Sequence, residues 1–416
     1  MNLLDTVNEI IGLAEIGGDY FGRDVSRHSF GLGDDAINFV DQNNFKYCEA
    51  IARAFSSDAE IESTYTLEKY QDLLINYFRD LILHGNSAKQ HDVTSFCDQL
   101  KSEEKKIFSV FRDIYGITLS NPSSPLLLGE YAVYDFQSHK EAIESKTELK
   151  PQYIWLQDTP EYLIEWKAKA RHFEKAVEIA DRQFERFELV LRYVIGYPTS
   201  RFEVGILNYQ GWRNRRAYIF SEDGLPSTRS SNHGAIELLP LDNPYIISNE
   251  AGYKYVWDLA STNNLNKFQK RIILAIEWIG QSIAELSPQS AFLKSAIALE
   301  IIFTYNENTI ITPSILNQIS EGAALILGES IEERMEIESK VKKLYSLRSA
   351  IVHSGNKNIS ESDHQTMLEV SRAVIIRLLT SKALKSIDSV EKLYELLKRT
   401  KYSGGAIDTS KMRSPD

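Results

Sequence analysis

Arg348 and His353 are the residues of this chain best placed to do chemistry, with four residues between them in the stretch KVKKLYSLRSAIVHSGNKN. Arginine never loses its proton in a protein, whereas histidine titrates near neutrality. The pairing suits phosphodiester chemistry, in which one group moves a proton and the other holds phosphate charge. The stretch reads as the last turns of a basic amphipathic helix, stopped by Ser354, Gly355 and Asn356. Glycine is usual just past a helix end because it accepts a left-handed backbone without steric cost. His353 is therefore expected at a helix C-terminus, where the dipole favours its protonated form and raises its pKa.

Five residues along an ideal helix turn through about 140° and rise about 7.5 Å, so the two side chains do not stack on one face. Either the helix unwinds at Ser354, or a second copy of the same helix completes the site across a two-fold axis. Neighbours that could support the pair are Glu300, Tyr345 and Ser349. Glu300 falls in the otherwise apolar run Ala296–Phe303, where an unpaired carboxylate is costly. It is expected to pair with Arg348, either to orient it or as a plain structural ion pair. Tyr345 could stack a base, or serve as core. Asn356 and His364 read as polar loop residues.

The same Arg-to-His spacing occurs twice more. Arg23 and His28 lie in a Gly-rich stretch that reads as a loop. Arg79 and His84 form a secondary candidate pair, because they also end a helix at a His-Gly step, with Asp80 after the arginine. Lys340, Lys342 and Lys343, together with Arg213, Arg215 and Arg216, are candidate contacts for an RNA backbone. Aromatic and basic residues mixed around Trp212–Arg216 can stack bases and hold phosphates; such runs also serve as solvated faces or charge-protected strand edges.

The block LYSLRSAIVHSGN, with KSAIALEIIF at Lys294–Phe303 upstream, resembles the Apea-like branch of the HEPN superfamily. The resemblance covers about Asn264 to Leu384 and is faint before that. It implies a helical, dimeric domain and the metal-independent ribonuclease activity of toxin and anti-phage systems. The superfamily's signature is an arginine, four to six residues, then a histidine, and Arg348 and His353 fill those positions. Nuclease members often carry Asn, Asp or His directly after the arginine; Ser349 stands there instead and is a weaker polar partner. RNA supplies its own nucleophile, the ribose 2′-OH. The implied reaction is therefore endonucleolytic cleavage to a 2′,3′-cyclic phosphate and a 5′-OH, with His353 as acid–base group and Arg348 as phosphate clamp. No cofactor and no metal are implied. The implied partners are RNA, a second copy of the chain, and a regulatory or phage-derived trigger. The competing expectation is a non-catalytic dimerisation or nucleotide- or RNA-binding module of a defence complex.

These residues need a scaffold, and the sequence predicts a mainly α protein with an α+β middle region and a C-terminal HEPN-like helical bundle. Residues 1–115 read mostly helical, with a short element near Ala36–Val40. Residues 116–255 read as α+β: short strands up to about Phe136, one long helix over 161–195, and a hairpin around Gln210 and Gly211. After the hairpin a loop or linker is expected over 221–249. Residues 256–400 read as the bundle, with Ser360 capping its fifth helix. Residues 401–416 read as a disordered tail, and residues 1–255 are expected to sense a signal or gate the dimer.

Composition bounds the function. The chain has 416 residues and a net charge of −11, so any affinity for nucleic acid must come from local clusters of cations. Two cysteines without metal spacing fit a reducing cytoplasm. No apolar run reaches the ~20 residues of a membrane helix, so no membrane partner is expected. P-loop, dinucleotide-fingerprint, zincin and nucleophile-elbow patterns are all missing from the sequence.

Overall fold

The structure, a computed structural model, describes residues 2–17, 27–121, 123–145, 160–196, 203–207, 213–220, 226–233, 237–305, 314–354, 359–403 and 407. For residues 27, 213–220, 226–233, 353 and 354 the description is confined to the backbone. The chain forms two compact units, residues 1–110 with 167–182, and residues 111–166 with 183–416.

The first unit begins with α1 (Leu3–Leu13), held by a reciprocal cap between Asn2 and Asp5. Strands β1 (Glu15–Ile16), β2 (Arg27–Phe30) and β3 (Ile37–Val40) form an antiparallel sheet in the order β1-β3-β2. The expected loop around His28 is thus partly a strand. Its alternation is hidden because β2 is short and edges a three-stranded sheet. Helices α2 (Asp41–Ser56), α3 (Ala59–Thr64), α4 (Leu67–Tyr77), α5 (Arg79–Leu83) and α6 (Gln90–Ser102) follow. Their apolar faces close on Ile10, Phe39, Tyr47, Tyr70, Phe78 and Phe96. Arg171 returns to this unit as a hub, with a side chain only 3% exposed. Its guanidinium donates to Glu60, to Thr64 and to the carbonyls of Lys101 and Glu103, at 2.8–2.9 Å. Arg171, followed by Lys105, pulls the Glu60 carboxyl down to about 2.

Next in the chain come β4 (Lys106–Asp113), β5 (Ile117–Thr118), β6 (Leu126–Leu128), β7 (Tyr131–Asp135), α7 (Phe136–Glu144), β8 (Tyr162–Ala170) and α8 (Phe173–Ile195). The four-stranded sheet has the order β4-β8-β7-β6. The single helix expected over 161–195 is corrected: its first third is β8. Lys, Glu and Ala favour helix there, but Trp166, Ala168 and Ala170 are buried with Lys167 and Lys169 exposed between them, at the strand period, and Tyr162–Glu165 pair with β7. Glu165, buried on β8, accepts the Tyr134 hydroxyl at 2.5 Å. Phe173, the first residue of α8, is 58% exposed.

In the second unit Tyr131, Trp166, Phe187 and Trp257 pack ring on ring, and the Trp257 indole donates to the Ile246 carbonyl at 2.9 Å. Gly129 makes the turn before Tyr131 with φ +62°, and a Cβ there would lie 2.4 Å from Ser261 Oγ and 2.5 Å from the Trp257 carbonyl oxygen. The expected hairpin is displaced. Strand β9 (Arg213–Phe220) pairs with β10 (Pro226–His233), a stretch expected to be loop. PSTRSSNH has no apolar alternation to announce a strand; Gln210 and Gly211 lie outside the described residues. Strand β11 (Leu239–Pro240) pairs in parallel with β5.

From there the chain is helical: α9 (Tyr253–Ser261), α10 (Lys267–Ala284), α11 (Pro288–Phe303), α12 (Ile315–Leu327), α13 (Ile331–Ser354), α14 (Glu361–Thr380), α15 (Lys382–Lys385) and α16 (Val390–Ser403). Asn266, Ser287, Ser314 and Ser360 cap α10, α11, α12 and α14 with their side chains. Helix α11 is the centre of the packing, against α10, α12, α13 and α14. Gly280 lets α10 approach α8, where a Cβ would come within 2.2 Å of the Leu189 carbonyl oxygen. Residues 401–403, expected in the tail, complete α16; of the remainder only residue 407 is described. His364, expected in a loop, is buried on α14 and faces Ser282 Oγ at 3.2 Å. The fold is thus mainly α, with small sheets in its first half and middle.

Candidate functional site

Helix α13 brings Val341, Leu344, Tyr345 and Arg348 to one side through their i, i+3, i+4, i+7 spacing. The first three are buried, and α11 lies opposite. Helix α11 is apolar on nearly every face, with Ala296, Ala298, Leu299 and Ile302 buried. Glu300 is its carboxylate on the α13 side.

These residues close into a three-member cluster. Arg348 Nη2 donates to Glu300 Oε2 at 3.2 Å. Arg348 Nε lies 2.8 Å from Glu300 Oε1 but is not aligned for a hydrogen bond, so this edge contributes as an ion pair. The Tyr345 hydroxyl donates to the same Oε1 at 2.9 Å, and the guanidinium carbon sits 5.5 Å from the Tyr345 ring centre. The ion pair is partly shielded, with side chains 24% (Arg348) and 20% (Glu300) exposed. Burial first, and then the Glu300 carboxylate, pushes the Tyr345 hydroxyl up to about 12, so it stays a neutral donor at physiological pH. Glu300 therefore fixes one edge of the guanidinium. Among the described residues Nη1 has no partner and is available to a phosphate oxygen.

Helix α13 remains α-helical through Ser354, so the backbone at His353 lies on the same continuous helix as Arg348. The His353 side chain, Gly355 and Asn356 lie outside what is described. Ser349 is half-buried beside Arg348. Lys340 and Lys343 are exposed on α13, and Lys342 pairs with Glu338 at 2.6 Å. Arg213, Arg215 and Arg216 belong to β9, opposite His233, Ser231 and Ser230 of β10.

The secondary pair is engaged locally. Arg79 Nη2 donates to the Asp35 carbonyl at 3.0 Å and packs on Gly31, pinning the β2–β3 connection. His84 ends α5 and its Nδ1 donates to the Asp80 carbonyl at 2.7 Å. His28 of the third pair has its Nδ1 2.7 Å from Asn44 Oδ1, while Arg23 lies outside the described residues.

Sequence reasoning did not find the Tyr345 hydroxyl as a Glu300 donor. Its position three residues before Arg348 was the available signal, but the register of α11 against α13 is not written locally. Among the described residues no cluster of His, Cys, Asp or Glu is arranged to hold a metal ion, and no helix is long and apolar enough to cross a membrane. Compared with protein-family models, curated proteins and solved structures, the chain matches none of them.

Proposed function

We propose that this chain is a metal-independent endoribonuclease of the HEPN-like kind, acting as a toxin-like effector of anti-phage defence. His353 moves the protons and Arg348 holds the phosphate, giving a 2′,3′-cyclic phosphate and a 5′-OH. The observation that carries the reading is the anchoring of Arg348 by Glu300 and Tyr345 on the helix that also bears His353. A clamp held on one edge, with Nη1 unpartnered among the described residues, is preorganised for an anion. Arg348 and His353 lie five residues apart on one helix, about 140° round it, and the arrangement we favour for a site using both is completion by α13 of a second copy across a two-fold axis.

The test is cleavage of a mixed single-stranded RNA by purified parent, His353→Ala and Arg348→Ala proteins. General acid–base catalysis contributes about 10²–10⁴-fold, so His353→Ala should lose at least two decades of rate with its helical content unchanged. Equal cleavage by parent and His353→Ala overturns the assignment.

The Glu300 ion pair also favours a second reading, in which Arg348 is a structural cation and the bundle a non-catalytic dimerisation or RNA-binding module. Expression toxicity separates the two readings. A released nuclease slows growth and its His353→Ala variant does not, whereas a binding module gives the same growth with or without the imidazole.

A further inference from the structure

Away from Arg348, helices α12, α13 and α16 enclose a cleft of about 500 Å³. Its floor is apolar, made by Phe303, Leu325, Leu393 and Leu397. Gly322 is what admits the Phe303 ring, since a Cβ at that position would come within 2.5 Å of it. The walls are charged. Lys342 projects from α13 and is paired with Glu338 at 2.6 Å, while Lys401 on α16 is paired with Glu321 at 2.8 Å. Lys398, also on α16, is exposed and has no partner among the described residues.

The two carboxylates are therefore matched within the walls, and one cation is left over. Each paired ammonium uses one of its three N–H groups on its glutamate and keeps the others. Exposed Lys–Glu pairs of this kind contribute little, so an incoming anion can share these lysines at little cost. The volume falls in the ~300–1,000 Å³ range of small-molecule sites, with polar atoms making up somewhat more of the lining than apolar ones. An inorganic ion would leave the apolar floor wet, and a neutral apolar ligand would leave the lysines unused. Tyr394, half-buried on the α16 wall, adds a ring face beside the leucines.

We propose that this cleft is a binding site for a small organic anion: a flat, apolar ring body seated on Phe303 and the leucines, with one carboxylate or phosphate held by lysines from α13 and α16. The proposal does not depend on the ribonuclease reading and stands or falls by binding alone.

Isothermal titration of the full chain with 2-naphthoate and with adenosine 5′-monophosphate provides the test, with 2-naphthol and acetate as partial mimics. Saturable one-to-one binding of at least one of the two ring anions is expected, and which one binds tells carboxylate from phosphate. Acetate should not bind, 2-naphthol should bind at least tenfold more weakly than 2-naphthoate, and raising salt from 50 to 500 mM should weaken the anion. Lys398→Gln combined with Lys401→Gln should weaken binding at least tenfold. Asn317→Trp, at the exposed α12 rim, should block the cleft without disturbing the core. No saturable binding of either ring anion at millimolar concentration overturns the proposal. So does binding that survives both the lysine and the Asn317→Trp variants, or 2-naphthol binding as tightly as 2-naphthoate.

Discussion

Replacing Glu300 by Gln keeps the shape of the side chain and removes the charge that fixes Arg348. The Tyr345 hydroxyl can still donate to the amide oxygen, so the loss isolates the ion pair. With one aligned N–H···O contact at 3.2 Å and one close charge contact at 2.8 Å, both partners lie between a surface pair and a buried one. Charge-assisted hydrogen bonds contribute about 1.5–3 kcal/mol and exposed pairs about 0–1, which brackets the expected loss at about 1–2 kcal/mol. Urea unfolding of the parent, Glu300→Gln, Arg348→Met and the double variant gives the coupling directly. A cycle that closes to within ~0.3 kcal/mol would show that the pair contributes nothing. The same proteins test function. If Glu300 orients a phosphate clamp, the Gln variant should cleave RNA about 10²-fold more slowly, the usual cost of a misplaced positioning group. Lost stability with unchanged cleavage would refute the orienting role and leave only a structural pair.

Tyr345 adds a pH signature: its hydroxyl is raised above its unfolded value near 10, so its contribution is complete below pH 10 and is lost as pH climbs towards about 12; a Tyr345→Phe protein should lack that component of alkaline unfolding. His364 works in the other direction. Burial lowers its pKa, so the neutral ring stabilises the bundle above the unfolded value near 6.5 and that stability fades as pH falls below it; a urea midpoint for the parent that does not fall relative to His364→Gln between pH 7 and 5 would contradict this. Arg171→Met should destabilise the first unit by about 3 kcal/mol, because two backbone carbonyls and a threonine lose a buried donor, and calorimetry would read it. Gly129→Ala combines a left-handed backbone with a collision against the Trp257 carbonyl and should cost at least about 2 kcal/mol in the same experiment.

What could be read from the sequence was local. The cap at Ser360 follows from residues within a turn of each other, and the structure places it there. Strand β8 was misread because Lys, Glu and Ala give Tyr162–Ala170 much of the composition of a helix, and its place between β4 and β7 makes it a strand. Strand β10 is a clearer case still: eight polar residues acquire their conformation from β9. At the candidate site, Arg348 was legible from its spacing to His353, and Glu300 as a carboxylate in an apolar run. The shared acceptor, Glu300 Oε1, was not, because it depends on how α11 and α13 slide against each other across 45 residues of chain. The buried Ser282–Ser295–His364 cluster was missed for the same reason, since it joins three helices.

The most direct measurement is the sequencing of RNA ends in cells shortly after induction of the parent and of His353→Ala. New 5′-hydroxyl ends paired with 2′,3′-cyclic phosphates, present with the parent and missing with the variant, are what the account predicts. The same ends in both, or none in either despite equal amounts of folded protein, would contradict it.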